Sequence, residues 1–144
     1  MKSILLIEDD PFLIDIYTTK LKESGFSVEE ATGGEEGLRK LRERSFDLLV
    51  LDIVLPRIDG WKILEEIKNQ KLSPVVTERG GRREQSSLRP LKDKNLKDLK
   101  IIVLSNLGQK EEIEKGLKLG ATKYLIKAYY TPSEVVAEIK QLLK

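Results

Sequence analysis

Short apolar runs alternate with amphipathic stretches along most of this chain, and this alternation limits the fold more than any other feature. Five mainly apolar runs predict β-strands at residues 3–7, 27–31, 48–51, 101–104 and 124–126. Four of them are almost continuously apolar, which is typical of parallel strands that helices cover on both faces. The run 27–31 alternates more, so we expect it at an edge of the sheet.

The segments between the runs carry helix signals. Asp10 before Pro11 predicts an N-cap followed by proline at the first helical position. The segments "TGGE" (32–35) and "TPSE" (131–134) have the spacing of capping boxes, which predicts two further helix starts.

Two more amphipathic segments, 59–70 and 109–120, complete the set, and we expect Trp61 in the core. Strand followed by helix five times predicts an α/β fold: a doubly wound parallel sheet with helices on both faces. Such a sheet binds ligands at the carboxyl ends of its strands.

Polar residues follow four of the five strands at that end. They are Glu8, Asp9 and Asp10 after the first, Asp52 after the third, Ser105 after the fourth and Lys127 after the fifth. A buried carboxylate is costly unless a cation or hydrogen bonds compensate it. Convergence of these groups therefore predicts a site, not a set of unrelated loop residues.

The chemistry of this edge favours a metal-bound phosphoryl group. Neighbouring carboxylates raise one another's pKa, and a divalent cation removes that conflict. The chain has neither cysteine nor histidine, which excludes thiolate and imidazole metal sites and Ser-His or Cys-His nucleophiles. Mg²⁺ suits oxygen ligands and leaves positions for phosphate. Lys127 and Ser105 would hold the phosphoryl oxygens, and Asp52 can act as the nucleophile.

Four segments carry a family resemblance: "ILLIEDDP", "LLVLDIVLPRIDGW", "IIVLSN" and "KYLIK", in that order. Together they resemble the receiver domain of two-component response regulators, over nearly the whole chain outside one insertion. The resemblance implies a flavodoxin-like, chemotaxis-regulator-like sheet with strand order 2-1-3-4-5.

The resemblance also implies the metal and acceptor residues. Asp52 matches the phosphoacceptor. Glu8 and Asp9 match the acidic pair that binds Mg²⁺ together with Asp52, with Asp9 as the more direct ligand. The backbone carbonyl of Val54 matches a further ligand.

Three residues match the switch and the catalytic lysine: Ser105 the switch hydroxyl, Tyr124 the aromatic ring that turns inward on activation, and Lys127 the lysine. The family usually has proline after that lysine, whereas this chain has Ala128. A cis bond before a residue other than proline costs roughly 2.5–4 kcal/mol, which favours a trans bond here.

A basic segment breaks the alternation between the third predicted helix and the fourth strand. Residues 71–100 contain nine basic and four acidic residues, two prolines and a Gly-Gly pair. This composition predicts a loop insertion at about 72–98 within a single receiver domain, 1–144, and not a second domain.

The resulting interpretation is a stand-alone, Mg²⁺-dependent receiver. We expect it to accept a phosphoryl group on Asp52 from a histidine kinase or histidine phosphotransfer protein, since a chain without histidine cannot supply that intermediate. We expect it to signal by a conformational change to a protein partner, and not to act as an enzyme beyond self-catalysed transfer and slow autodephosphorylation.

Charge and hydropathy bear on location and partners. The N-terminal apolar run is too short for a signal peptide and ends in acid, so we expect a cytoplasmic protein. No apolar segment is long enough to cross a membrane. A net charge of +2 does not by itself indicate a nucleic-acid or membrane partner.

Three alternatives remain open from the sequence. The chain can be a receiver fragment of a longer regulator, or an adaptor that binds partners through the basic insertion. An aspartate-nucleophile phosphatase of the haloacid dehalogenase type is a third, although "DIVLP" lacks the second aspartate of that signature.

Overall fold

The computed structural model describes residues 1–72, 96 and 98–144 and confirms the predicted doubly wound parallel sheet. Its five strands lie in the predicted order β2-β1-β3-β4-β5, with β2 at an edge as expected. The strands are β1 Ser3–Ile7, β2 Ser27–Ala31, β3 Leu48–Leu51, β4 Lys100–Ser105 and β5 Lys123–Ile126.

Five α-helices alternate with the strands in the described part of the chain. They are α1 Pro11–Glu23, α2 Gly34–Glu43, α3 Gly60–Leu72, α4 Lys110–Lys118 and α5 Pro132–Leu142. A 3₁₀ turn, Lys127–Tyr129, follows β5. Among the residues described, no helix has both the length and the apolarity needed to cross a membrane. The predicted insertion at about 72–98 lies almost entirely outside the described residues.

Two of the three predicted helix starts are confirmed. The Asp10 carboxylate accepts a hydrogen bond from the Phe12 N–H at 2.9 Å. Thr131 and Glu134 form the reciprocal capping box, with the Glu134 carboxylate accepting from the Thr131 N–H at 2.8 Å and the Thr131 hydroxyl accepting from the Glu134 N–H at 3.2 Å. Each cap satisfies amide groups that the helix itself leaves unpaired.

The predicted capping box at 32–35 is wrong by one residue. Gly33 is the N-cap of α2 and offers no side chain, and the carboxylate that accepts from the Thr32 N–H, at 2.9 Å, belongs to Glu36. A tertiary contact accompanies this start. A Cβ on Gly34 would lie 2.4 Å from the Ile58 carbonyl oxygen, so the helix begins where a glycine lets the loop after β3 approach.

The strands bury alternate side chains on the two faces of the sheet. The core on the α2 and α3 side includes Leu5, Ile7, Leu49, Leu51, Leu38 and Ile63. The core on the α1 and α5 side includes Ile4, Leu6, Leu48, Val50, Ile14 and Val135. Each such side chain stabilises the fold by about 1.5–3 kcal/mol, which fixes the carboxyl edge of the sheet. The core position predicted for Trp61 needs correction, because Trp61 is half-buried and packs against the first core from its margin.

The strand register sets the level of the polar residues at that edge. Ile7 lies opposite Leu51, and the Asp52 N–H donates to the Ile7 carbonyl at 3.0 Å. Ser105 lies opposite Ile126 in the β4–β5 pair, so Lys127 follows directly beside it. The polar residues at the ends of four strands therefore lie together at the carboxyl edge of the sheet.

Candidate functional site

Three carboxylates meet at the carboxyl edge of β1 and β3. One carboxylate oxygen from each of Glu8, Asp9 and Asp52 lies within 4.8 Å of the others. Glu8 is 2% exposed and Asp52 is 5% exposed, whereas Asp9 is open to solvent. Two buried acids this close need positive charge to offset their repulsion and their lost hydration.

Lys127 supplies that charge from the end of β5. Its ammonium nitrogen lies 2.8 Å from Glu8 Oε1 and 3.1 Å from Asp52 Oδ2. The lysine side chain is 14% exposed, so solvent screens these ion pairs weakly. One ammonium thus holds two buried carboxylates, which leaves the cluster with a net negative charge.

The protonation equilibria reflect this imbalance. Burial raises the pKa of Asp52 above its usual range, and the Lys127 ammonium reduces that effect without cancelling it. Burial likewise raises the pKa of Glu8, against the hydrogen bond from Lys127. Burial by itself would lower the pKa of Lys127, but the hydrogen bond to Glu8 and the charge of Asp52 outweigh it and raise that pKa.

This donor set fits a hard divalent cation. The oxygen atoms that would hold such a cation are carboxylate oxygens of Glu8, Asp9 and Asp52, and two of these carboxylates are buried and short of positive charge. Mg²⁺ is bound in proteins by one or two carboxylates, while waters and phosphate oxygens complete its shell. The backbone of Val54 lies next to Asp52 as well, since its N–H donates to Asp52 Oδ1 at 3.2 Å.

Ser105 and Tyr124 lie beside the site, on β4 and β5. Ser105 is fully buried, and its hydroxyl oxygen accepts from the Leu107 N–H at 3.2 Å. The Tyr124 hydroxyl donates to the Leu107 carbonyl at 2.5 Å, and the ring is partly buried against the core. Leu107 therefore links the two residues, a connection that the sequence did not predict.

All the residues predicted for this site lie at the one edge of the sheet. Glu8, predicted as a metal ligand, belongs to the carboxylate group described above, and it also contacts the Lys127 ammonium. No peptide bond among the described residues is cis, in line with the expectation for Lys127–Ala128. Lys127 reaches both acids with this trans bond.

The loop after β3 contains a residue that sequence patterns did not reveal. Arg57 has φ +62°, the left-handed region that costs an ordinary residue about 1–2 kcal/mol. Its guanidinium forms an ion pair with Glu35 at 3.0 Å, but both side chains are largely exposed, so the pair contributes little stability.

Arg57→Asn is expected to raise the free energy of unfolding by about 0.5–1 kcal/mol, because asparagine adopts this backbone conformation at lower cost. Urea unfolding measures the change. Glu35→Gln is the matched control, since it removes the same ion pair and leaves the backbone residue unchanged. Equal effects of the two substitutions would show that the left-handed conformation costs nothing here.

The family model of the response regulator receiver domain matches residues 4–85. The alkaline phosphatase synthesis transcriptional regulatory protein PhoP of Bacillus subtilis is 31% identical, over 99% of this chain and 49% of its own length. The transcriptional regulatory protein CusR of Escherichia coli K12 is 31% identical, over 98% of this chain and 51% of its own. The chain thus spans about half the length of these relatives.

Solved structures share the fold. A response regulator receiver domain protein (CheY-like) from Methanospirillum hungatei matches with a TM-score of 0.75 and 28% identity, over 99% of this chain and 94% of that one. The chemotaxis protein CheY4 of Vibrio cholerae matches with a TM-score of 0.76 and 20% identity, over 99% of this chain and 98% of that one. The second likeness concerns the fold alone.

Proposed function

Since this chain belongs to the response regulator receiver domain family, we propose that it is a phosphorylation-dependent switch whose acceptor is Asp52. The observation that carries the proposal is the convergence of Glu8, Asp9, Asp52 and Lys127 at one edge of the sheet. Of the three acids, Asp52 is the one that both contacts the lysine and accepts the Val54 N–H.

The proposed reaction is transfer of a phosphoryl group to a carboxylate. An oxygen of Asp52 attacks the phosphorus, and the bond from phosphorus to a histidine nitrogen of the donor breaks. The donor imidazole keeps the electron pair and takes up a proton. Lys127, 3.1 Å from Asp52 Oδ2, places positive charge where the phosphoryl oxygens arrive.

Mg²⁺ is part of the proposal, and Asp9 and Asp52 would hold it together with Glu8 and the Val54 carbonyl. When bound, the cation neutralises charge on the phosphoryl oxygens. Glu8 has a second role in this chain, because its contact with the Lys127 ammonium at 2.8 Å keeps that amine at the site. We propose that Ser105 and Tyr124 change conformation when Asp52 is phosphorylated.

Chemical mapping of the phosphorylated residue tests this function. The protein is treated with acetyl phosphate and Mg²⁺, and its intact mass is measured. Borohydride then reduces the acyl phosphate, which releases phosphate and converts the phosphorylated aspartate to homoserine, and peptide mass spectrometry locates that residue. We expect one phosphoryl group per chain before reduction, homoserine at position 52 after it, and neither when EDTA replaces Mg²⁺. Modification at another carboxylate, or equal labelling without Mg²⁺, would reject the assignment.

We propose a switch and not a turnover enzyme. An aspartate-nucleophile phosphatase would release phosphate from p-nitrophenyl phosphate over many cycles, whereas a receiver would retain a single group and hydrolyse it slowly. Continuous multiple turnover by the wild type, lost in a variant without the Asp52 carboxylate, would favour the enzyme.

Partners and context belong to the proposal too. We propose a histidine kinase or histidine phosphotransfer protein as donor and a protein as downstream target. The names of PhoP and CusR describe transcriptional regulators about twice as long as this chain. Stand-alone action, a cytoplasmic location and the absence of a nucleic-acid partner stay predictions, for which the genomic reading frame, cell fractionation and a DNA-binding titration are the tests.

A further inference from the structure

Trp61 lies in the first turn of α3, directly after a glycine that touches the acceptor's backbone. A Cβ on Gly60 would lie 2.6 Å from the Asp52 carbonyl oxygen and 2.6 Å from the Ile53 Cα. The Gly60 N–H also donates to the Ile53 carbonyl at 2.8 Å. The start of α3 is therefore fixed to the backbone of the acceptor strand, and the indole is fixed with it.

The same indole contacts α4. The Lys115 ammonium lies 4.4 Å from the centre of the Trp61 ring, within the distance of a cation–π interaction. A Cβ on Gly116 would lie 3.9 Å from Trp61 Cζ3 and 2.7 Å from Tyr124 Cδ2. Trp61 and Tyr124 thus approach α4 at one small residue.

Among the residues that the structure describes, few further contacts hold helix α4. Gly116 is its only buried residue, along a helix that the structure describes from end to end. Leu117 is 46% exposed. A second contact from α3 is the Lys68 ammonium, which donates to the Lys118 carbonyl at 3.2 Å. A helix with so small a buried surface is the kind of element whose position a few contacts decide.

We propose that Trp61, held by Lys115, is a positioning residue that couples the state of Asp52 to the position of α4, in addition to Ser105 and Tyr124. The inference rests on the proposed role of Asp52 as acceptor. In this proposal, a group bound on Asp52 displaces the 53–60 loop, and Gly60 and the Trp61 indole move with the loop. Helix α4 follows the indole, because Lys115 and Gly116 of α4 contact that ring.

Amide hydrogen exchange of α4 tests the coupling. Exchange of peptides covering 110–118 is measured with Mg²⁺ alone and with Mg²⁺ plus beryllofluoride, a stand-in for the phosphoryl group. Lys115→Met removes the cation from the ring. Lys118→Met is the matched control, because it removes the same charge from the same helix at a position away from the indole. Trp61→Leu removes the ring, and ¹⁹F NMR of bound beryllofluoride reports acceptor occupancy in every variant.

In the free state we expect α4 exchange in Lys115→Met to be about two- to fivefold faster than in Lys118→Met, the factor that loss of an exposed cation–π contact gives. We further expect the change in α4 exchange on adding beryllofluoride to fall at least about twofold in Lys115→Met and in Trp61→Leu, at equal occupancy. A purely structural contact would shift both states equally. The chain has one tryptophan, so its emission should also shift when beryllofluoride binds.

Two results would overturn the proposal. In the first, beryllofluoride fully occupies the site in Lys115→Met and Trp61→Leu and changes α4 exchange as much as it does in the wild type. That result would leave the proposed function of Asp52 intact and remove the role of Trp61. The other is an absent ¹⁹F signal for bound beryllofluoride in the wild type, which rejects the acceptor itself and the coupling with it.

Discussion

Asp52→Asn is expected to abolish phosphorylation by acetyl phosphate and, in the absence of Mg²⁺, to make the folded protein more stable. Loss of phosphorylation follows because an amide is not a nucleophile toward phosphorus under these conditions. The gain in stability follows from the charge count. Removing the Asp52 carboxylate leaves Lys127 paired with Glu8 at 2.8 Å and removes a buried negative charge that the lysine only partly offsets.

The stability gain should be on the order of 1 kcal/mol, the scale on which relief of a buried charge conflict stabilises proteins. It should also depend on pH. Burial raises the pKa of Asp52 above its unfolded-state value, so the unfolded state gives up its proton first. Wild-type stability in EDTA should therefore fall as the pH rises from the ordinary aspartate pKa through the raised one, and the asparagine variant should lose less.

Urea unfolding in EDTA at several pH values, with intact mass after acetyl phosphate treatment, measures both parts. Asp15→Asn is the control, since Asp15 is an exposed residue of α1 and the same substitution there should change stability by less than about 0.5 kcal/mol. Mg²⁺ should make the wild type more stable than the Asp52→Asn variant, because the cation binds and stabilises only the wild type. A variant that is less stable than wild type in EDTA at neutral pH would contradict the charge argument.

The sequence predicted the sheet well because its signals are local and repeated. Nearly continuous apolar strands and caps such as Asp10 and Thr131 do not depend on distant residues. Together with the rule that parallel strands share one functional edge, they were sufficient to place Asp52, Glu8 and Lys127 at one location.

The features that the sequence did not predict depend on contacts between distant residues. The start of α2 coincides with the approach of the Ile58 carbonyl to Gly34. The left-handed conformation of Arg57 belongs to the loop that makes this approach. The Trp61 ring contacts Lys115, which lies on another helix. Neither propensity nor periodicity encodes such pairs, because each residue alone has an ordinary explanation.

Lys127→Met is expected to have the largest effect on stability of any single substitution at the site. Methionine keeps much of the side-chain volume but removes the only positive charge recorded beside Glu8 and Asp52 in the described structure. Removing one partner of a buried ion pair typically costs about 3–5 kcal/mol. We expect the free energy of unfolding in EDTA at neutral pH to fall by about 3 kcal/mol. This is the low end of the range, because the lysine side chain is still 14% exposed to solvent. Phosphorylation should slow by about 10²–10³-fold, as when one preorganised donor is lost.

Two further variants separate this explanation from a general effect of losing a lysine. Lys123→Met removes the charge that pairs with Glu138 at a partly exposed position, and it should cost less than about 1 kcal/mol. Glu8→Gln added to Lys127→Met should restore a large part of the lost stability without restoring phosphorylation, because it neutralises the buried carboxylate nearest to the missing ammonium. If the double variant were as unstable as Lys127→Met alone, uncompensated charge would not be the cause, and the loss would have to come from packing around the lysine stem.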